Sequence, residues 1–164
     1  MGLDFHLIHS EPAALYMGEL PRRWQQTPAP VVVNLCGMFP MGNPIGRVVF
    51  GLPMLDLQDP DAVPDRGEVE SFLGAVHEHC EAGASYWHCH AGINRSGFGV
   101  CAYLHRHRGL SISDAIGLVR SRRDPMVLCN AVFEQTLRKW YGGPSEQDFE
   151  PVTMEAYLAA RQGR

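Results

Sequence analysis

The apolar positions of this chain fall into short continuous runs that alternate with longer periodic stretches. Residues 31–35 form a run led by three β-branched valines, which predicts a buried strand. Residues 47–52 read as a second strand and residues 84–88, short and rich in aromatics, as a third. Val69, Phe72, Leu73, Val76 and Cys80 recur at three-and-four spacing, so they mark one face of a helix. Pro64 suits that helix's first turn and Gly83 its end. A second helix is predicted over 95–107, with Phe98, Cys101 and Leu104 inward. A third, capped by Ser113, runs to Arg122, and a fourth covers 130–141. The stretches 21–30, 40–46 and 56–64 are rich in Pro, with Gly or acidic residues in the latter two, and read as loops. Residues 144–150 read as a linker and 153–161 as a short terminal helix. Strands alternating with helices predict an α/β fold: one domain, with a central, mostly parallel twisted sheet flanked by helices.

Composition narrows the function classes. The chain has 164 residues, enough for one domain with a substantial core. Hydrophobic residues make up 45%, charged residues 20%, and the net charge is −4, which gives no global attraction to nucleic acid or an anionic membrane. No apolar run approaches the ~20 residues that span a bilayer. Residues 1–10 lack the basic segment and apolar stretch of a signal peptide, and the cysteine pattern gives the expectation of a reducing, cytoplasmic location. The five cysteines, Cys36, Cys80, Cys89, Cys101 and Cys129, are odd in number and irregularly spaced, unlike a disulfide framework.

Candidate chemistry concentrates in His88-Cys89-His90-Ala91-Gly92-Ile93-Asn94-Arg95-Ser96-Gly97. A Cys and an Arg six apart mean little alone. Here a predicted strand precedes the segment and a predicted helix follows it. A loop closing onto a helix N-terminus aims several backbone N–H groups, and the positive end of the helix dipole, at one point. That point suits a phosphate dianion. Gly92 permits backbone angles closed to other residues, and the planar fork of Arg95 can grip two phosphate oxygens. The same field favours a thiolate, which makes Cys89 the candidate nucleophile. Ser96 can donate a hydrogen bond to the sulfur.

Residues 88–97 resemble the signature loop of the dual-specificity and related protein tyrosine phosphatases. Leu52-Pro53-Met54-Leu55-Asp56 resembles that family's strand end and general-acid loop, and residues 122–130 resemble its later segment, where an Asn supports the phosphate loop. The likeness covers about residues 14–141 and is closest to small bacterial and phage members with an Asn before the Arg. It implies the cysteine-phosphatase fold, with the catalytic domain over 1–143 and a peripheral extension over 144–164. It also implies no metal and no cofactor. Cys89 is then the nucleophile, Arg95 binds phosphate, Ser96 assists departure of the thiolate, and His88 and Asn130 support the loop. His90, Ala91, Gly92, Ile93, Asn94 and Arg95 surround the phosphate. Asp56, 33 residues before Cys89, fits the general-acid position best among Asp56, Asp59, Asp61 and Asp65.

Competing readings attach to other residues. His77, His79, Cys80, His88, Cys89 and His90 include zinc-ligand types, but neither cluster has a recognised zinc spacing. His105, Arg106, His107 and Arg108 read as favourable charge at a helix C-terminus. Arg120, Arg122 and Arg123 allow the same reading, with substrate contact as the alternative. Cys36, Cys101 and Cys129 read as core. The resemblance implies a phosphorylated protein or peptide as substrate, phosphotyrosine first and phosphoserine or phosphothreonine besides. Residues 88–98 also resemble the loop of RNA 5′-triphosphatases, which makes an RNA 5′ end the second substrate class, against the acidic net charge. A catalytically silent phosphate-binding module is the third reading.

Overall fold

The computed structural model describes residues 2–146, 148–155 and 158–159. Five strands form one sheet: β1 Phe5–His9, β2 Leu15–Gly18, β3 Val31–Asn34, β4 Val48–Gly51 and β5 Ser85–His88. Their order is β1-β2-β5-β3-β4. Only β1 with β2 is antiparallel; the β2–β5, β5–β3 and β3–β4 pairs are parallel. Among the described residues, four helices flank the sheet: α1 Arg66–Ala82, α2 Arg95–Arg108, α3 Ile112–Arg122 and α4 Ala131–Tyr141. The fold class is the one the alternation predicts.

Strands β3 and β5 lie in the middle of the sheet and every residue of both is buried. This is why they read as apolar or aromatic runs. Strands β1 and β2 were not predicted. The first is an edge strand with Phe5, His6 and Leu7 exposed, so it carries no core pattern. The second is four residues ending in Gly18. Both become strands through tertiary pairing.

One helix cap differs from expectation. Ser111, not Ser113, caps α3: its Oγ accepts the Asp114 N–H at 3.1 Å. Ser113 lies inside the first turn, and its Oγ accepts from Arg138 at 2.9 Å. Both serines satisfy the local signal, and the chain direction before Ile112 selects the earlier one.

Helix α2 is the pillar of the site. Ser96 to Leu104 are all buried in it. Phe98 packs on Phe133 and Trp140 of α4, with ring centroids 5.5 and 5.8 Å apart. Fully burying a side chain of this size stabilises by about 1.5–3 kcal/mol. The α2 N-terminus is therefore anchored from behind. The extension begins with a 3-10 turn, Pro144–Glu146, whose Glu146 carboxylate accepts the Ser113 N–H at 3.2 Å. Of the predicted terminal helix, Met154, Glu155, Leu158 and Ala159 are helical; residues 156, 157, 160 and 161 lie outside the described residues.

Candidate active site

Strand β5 ends at His88, and α2 begins at Arg95, leaving residues 89–94 to turn between them. Cys89 is buried, and its Sγ lies 3.4 Å from the Ser96 Oγ. The hydroxyl is placed to donate to the sulfur.

Three carbonyls of the turn point outward. The His90 carbonyl accepts Leu20 N–H at 3.0 Å. The Ala91 and Gly92 carbonyls accept Arg123 Nη2 at 3.4 Å and Nε at 3.2 Å. In a trans peptide the next N–H points opposite to the carbonyl. The amides of Ala91, Gly92 and Ile93 therefore face away from Leu20 and Arg123. This is the array that an oxyanion needs. Gly92 makes the turn possible twice over. Its φ is +68°, and a Cβ there would collide with the Gly18 backbone.

Arg95 is mostly buried. Its Nη1 donates to the Met54 carbonyl at 3.4 Å, while its Nε is buried without a hydrogen-bond partner and lies 3.8 Å from Asp56 Oδ2. The four Asp candidates separate by what they touch. Asp59 accepts Asp61 N–H at 3.0 Å and caps a 3-10 turn, Pro60–Ala62. Asp65 caps α1 by accepting Glu68 N–H at 3.0 Å. Asp61 lies exposed within that turn. Asp56 alone reaches the loop.

Two amides fix Asp56. Asn94 Nδ2 donates to its two oxygens at 3.2 and 3.3 Å, and Asn130 Nδ2 donates to Oδ1 at 3.0 Å. Asn130 also donates to the Leu57 carbonyl at 2.9 Å and caps α4, while its backbone N–H donates to Asn94 Oδ1 at 3.1 Å. One asparagine thus joins the acid loop, the Cys-Arg loop and α4. The Asn94 side chain faces these partners.

His88 is buried, and burial lowers its pKa from 6.5 to about 4. The neutral ring places Nδ1 3.4 Å from the Cys89 carbonyl and stacks on Tyr86. His90 and Ala91 are exposed; His90 borders a cavity of about 570 Å³ with Leu20, Arg22 and Gln26. Ile93 is half-buried.

Several expectations change. Cys36 and Cys129 are half-buried beside the site, whereas Cys80 and Cys101 lie in the core. Cys129 Sγ donates to Asn94 Oδ1 at 3.5 Å. Burial raises the Cys36 thiol, and Cys89 and Arg95 both act on it electrostatically. Arg120 is taken by structure: it donates to the Val127 carbonyl at 3.0 Å and pairs with buried Glu134 at 2.6 Å. Arg108 pairs with Glu81, and Arg106 with Glu70 at 3.3 Å, at the end of α2 remote from Cys89. No group of three or more His, Cys, Asp or Glu among the described residues is arranged to hold a metal. No helix among them is long and apolar enough to cross a membrane.

Sequence reasoning missed the support beneath the loop. Arg123 and its partner Asp4 come from the end of α3 and the start of β1. Arg123 lies in the segment 122–130 that resembles the family's loop support, but its contacts are not readable there, and no local pattern marks Asp4.

The family model for the dual specificity phosphatase catalytic domain matches residues 46–142, more than half of the chain and the whole of the loop just described. The chain belongs to this family. A Dictyostelium discoideum protein described as a probable dual specificity protein phosphatase is 27% identical over 126 residues, which are 76% of this chain and 32% of that protein. The chain thus spans about a third of the length of that relative. Among solved structures, human DUSP28 is 24% identical with a TM-score of 0.67, over 86% of this chain and 95% of that one. Tk-PTP in its active form is 21% identical with a TM-score of 0.66, over 85% and 97%. PTPMT1 in complex with PI(5)P is 18% identical with a TM-score of 0.61, over 82% and 95%. These likenesses agree with the observed sheet and helices.

Proposed function

We propose that this dual specificity phosphatase family member hydrolyses phosphotyrosine in proteins, with phosphoserine and phosphothreonine as further substrates, through a phosphocysteine on Cys89. The observation that carries this reading is the Cys89 sulfur set against Ser96, 3.4 Å away, at the foot of a turn whose carbonyls are drawn outward.

The Cys89 sulfur attacks phosphorus, and the ester P–O bond breaks. The Arg95 guanidinium and the amides of Ala91, Gly92 and Ile93 hold the three non-bridging oxygens as charge shifts onto them. Asp56 gives its proton to the departing oxygen. Water then attacks the phosphocysteine, and Asp56 takes a proton from it. The S–P bond breaks, inorganic phosphate leaves, and the Ser96 hydroxyl donates to the departing sulfur.

Leu55 and Leu57 stand exposed on either side of Asp56, giving the acid loop an apolar face suited to an aryl leaving group. The turn contains no Lys, which disfavours multiply phosphorylated lipid headgroups. A substrate panel tests the reading: phosphotyrosine, phosphoserine and phosphothreonine peptides, triphosphate-ended RNA and a phosphoinositide, each with Cys89→Ser as control. Phosphopeptides, phosphotyrosine foremost, should be turned over fastest and the variant should be inert. Faster release from RNA ends or from the lipid would reassign the substrate class. Turnover by Cys89→Ser would remove the nucleophile.

A further inference from the structure

The edge strand β1 lies outside the residues that the family model matches, yet its first contacts lead to the floor of the loop. Arg123 is almost wholly enclosed, with its side chain 3% exposed. It spends all three nitrogens on two tasks. Nε and Nη2 hold the Gly92 and Ala91 carbonyls. Nη1 pairs with Asp4 Oδ2 at 2.8 Å and donates to His6 Nδ1 at 2.9 Å. Among the described residues, Asp4 is the only carboxylate paired with this guanidinium.

A buried cation is tolerated only when it is paired and hydrogen-bonded. Asp4 is itself 59% exposed, so its carboxylate forms the outer wall between Arg123 and solvent. It is fixed there by backbone bonds: the Asp4 carbonyl accepts Glu19 N–H at 3.1 Å, and the Asp4 N–H donates to Glu19 Oε1 at 3.2 Å. Glu19 directly follows Gly18, whose backbone Gly92 packs against. The relay therefore begins and ends on the β2 terminus that the loop already touches.

We infer that Asp4 is a positioning residue that acts through Arg123: its charge keeps the guanidinium inside, where it holds the Ala91 and Gly92 carbonyls outward and so sets the Gly92 and Ile93 amides for a phosphate oxyanion. Asp4 touches no reacting atom. Without its charge, Arg123 gains by turning to water, and the two peptide planes lose the bonds that orient them. The loss falls on oxyanion affinity and on the transition state, which the same amides serve. The kinetic half of this inference rests on the phosphatase reading; the binding half does not.

The experiment uses the full chain with Asp4→Asn, Asp4→Glu and Arg123→Lys. Equilibrium binding of orthovanadate is measured beside kcat and KM on an aryl phosphate, and beside the thermal midpoint. Asp4→Asn should bind vanadate at least tenfold more weakly and lose a similar factor in kcat/KM, while remaining folded. Asp4→Glu should recover most of both. Arg123→Lys keeps a positive charge but lacks the fork for two carbonyls, so it should fail as Asp4→Asn does. Unchanged vanadate affinity in folded Asp4→Asn overturns the relay, as does a loss that merely follows the unfolded fraction in all three variants. A wild-type chain whose vanadate affinity depends on Asp4 but which hydrolyses nothing would sink the phosphatase reading and leave the relay standing.

Discussion

At the scale of single residues, the site is a set of short, directional contacts, and each predicts a distinct failure. Gly92→Ala should cost stability, because a residue with a Cβ must adopt a φ of +68° against the Gly18 backbone. Strain of this kind costs about 1–3 kcal/mol. A chemical denaturation curve should show that loss together with weakened vanadate binding, and a wild-type curve would contradict the close approach. Asn94→Ala frees Asp56 from one of its two amide donors. Turnover of an alkyl phosphate, which needs the proton most, should fall about tenfold or more. Hydrolysis of p-nitrophenyl phosphate should fall less. Equal losses on both would show that Asn94 does not act through the acid. Cys89, Arg95 and Ser96, to which the proposed chemistry is assigned, were legible as a group in the sequence because one turn and the first residues of α2 carry all three. Asp56 was legible only as the best of four carboxylates, and its selection comes from contacts with Asn94 and Asn130. Arg123 was legible only as one of three arginines near the loop-supporting segment, and its pairing with Asp4 was not, since 119 positions separate the two and only the fold brings them together.

At the scale of elements, the segment after α3 is locked by a buried ion cluster. Glu134 on α4 is fully enclosed and takes Arg120 at 2.6 Å and Arg138 at 2.9 Å. Removing one member of such a cluster leaves uncompensated charge and costs about 3–5 kcal/mol. Glu134→Ala should therefore lower the urea midpoint sharply and loosen the segment that carries Asn130, visible as lost activity before global unfolding. Two histidines bias stability with pH. Burial lowers His88 from 6.5 to about 4. Burial, aided by His77, Arg106 and Arg108, does the same for His107. The unfolded chain then binds protons that the native one refuses. Their contribution is complete above pH 6.5 and is lost as pH falls through about 4. The urea midpoint should drop from pH 7 to pH 5, and His107→Gln should narrow that drop. An unaltered drop in the variant would exclude His107 from it. Helices α1, α2, α3 and α4 and strands β3, β4 and β5 were legible because burial on a face or on both sides imposes a pattern. Strand β1, with Phe5, His6 and Leu7 exposed, imposes none.

At the scale of the whole molecule, a mostly parallel sheet puts the ends of β5, β3 and β2 on one side, and the candidate site is assembled there from four parts of the chain. Strand β5 brings Cys89, the loop after β4 brings Asp56, the segment after α3 brings Asn130, and β1 with α3 braces the floor through Asp4 and Arg123. The α/β class followed from alternation alone, while the position of the N-terminal residues under the loop needed the strand order. The most direct test of the account is acid quenching of the enzyme during turnover of an aryl phosphate, followed by mass spectrometry of its peptides. The account predicts one phosphoryl group on Cys89, absent in Cys89→Ser. Turnover with no phosphorylated Cys89, or with the phosphoryl group on another residue, would contradict it.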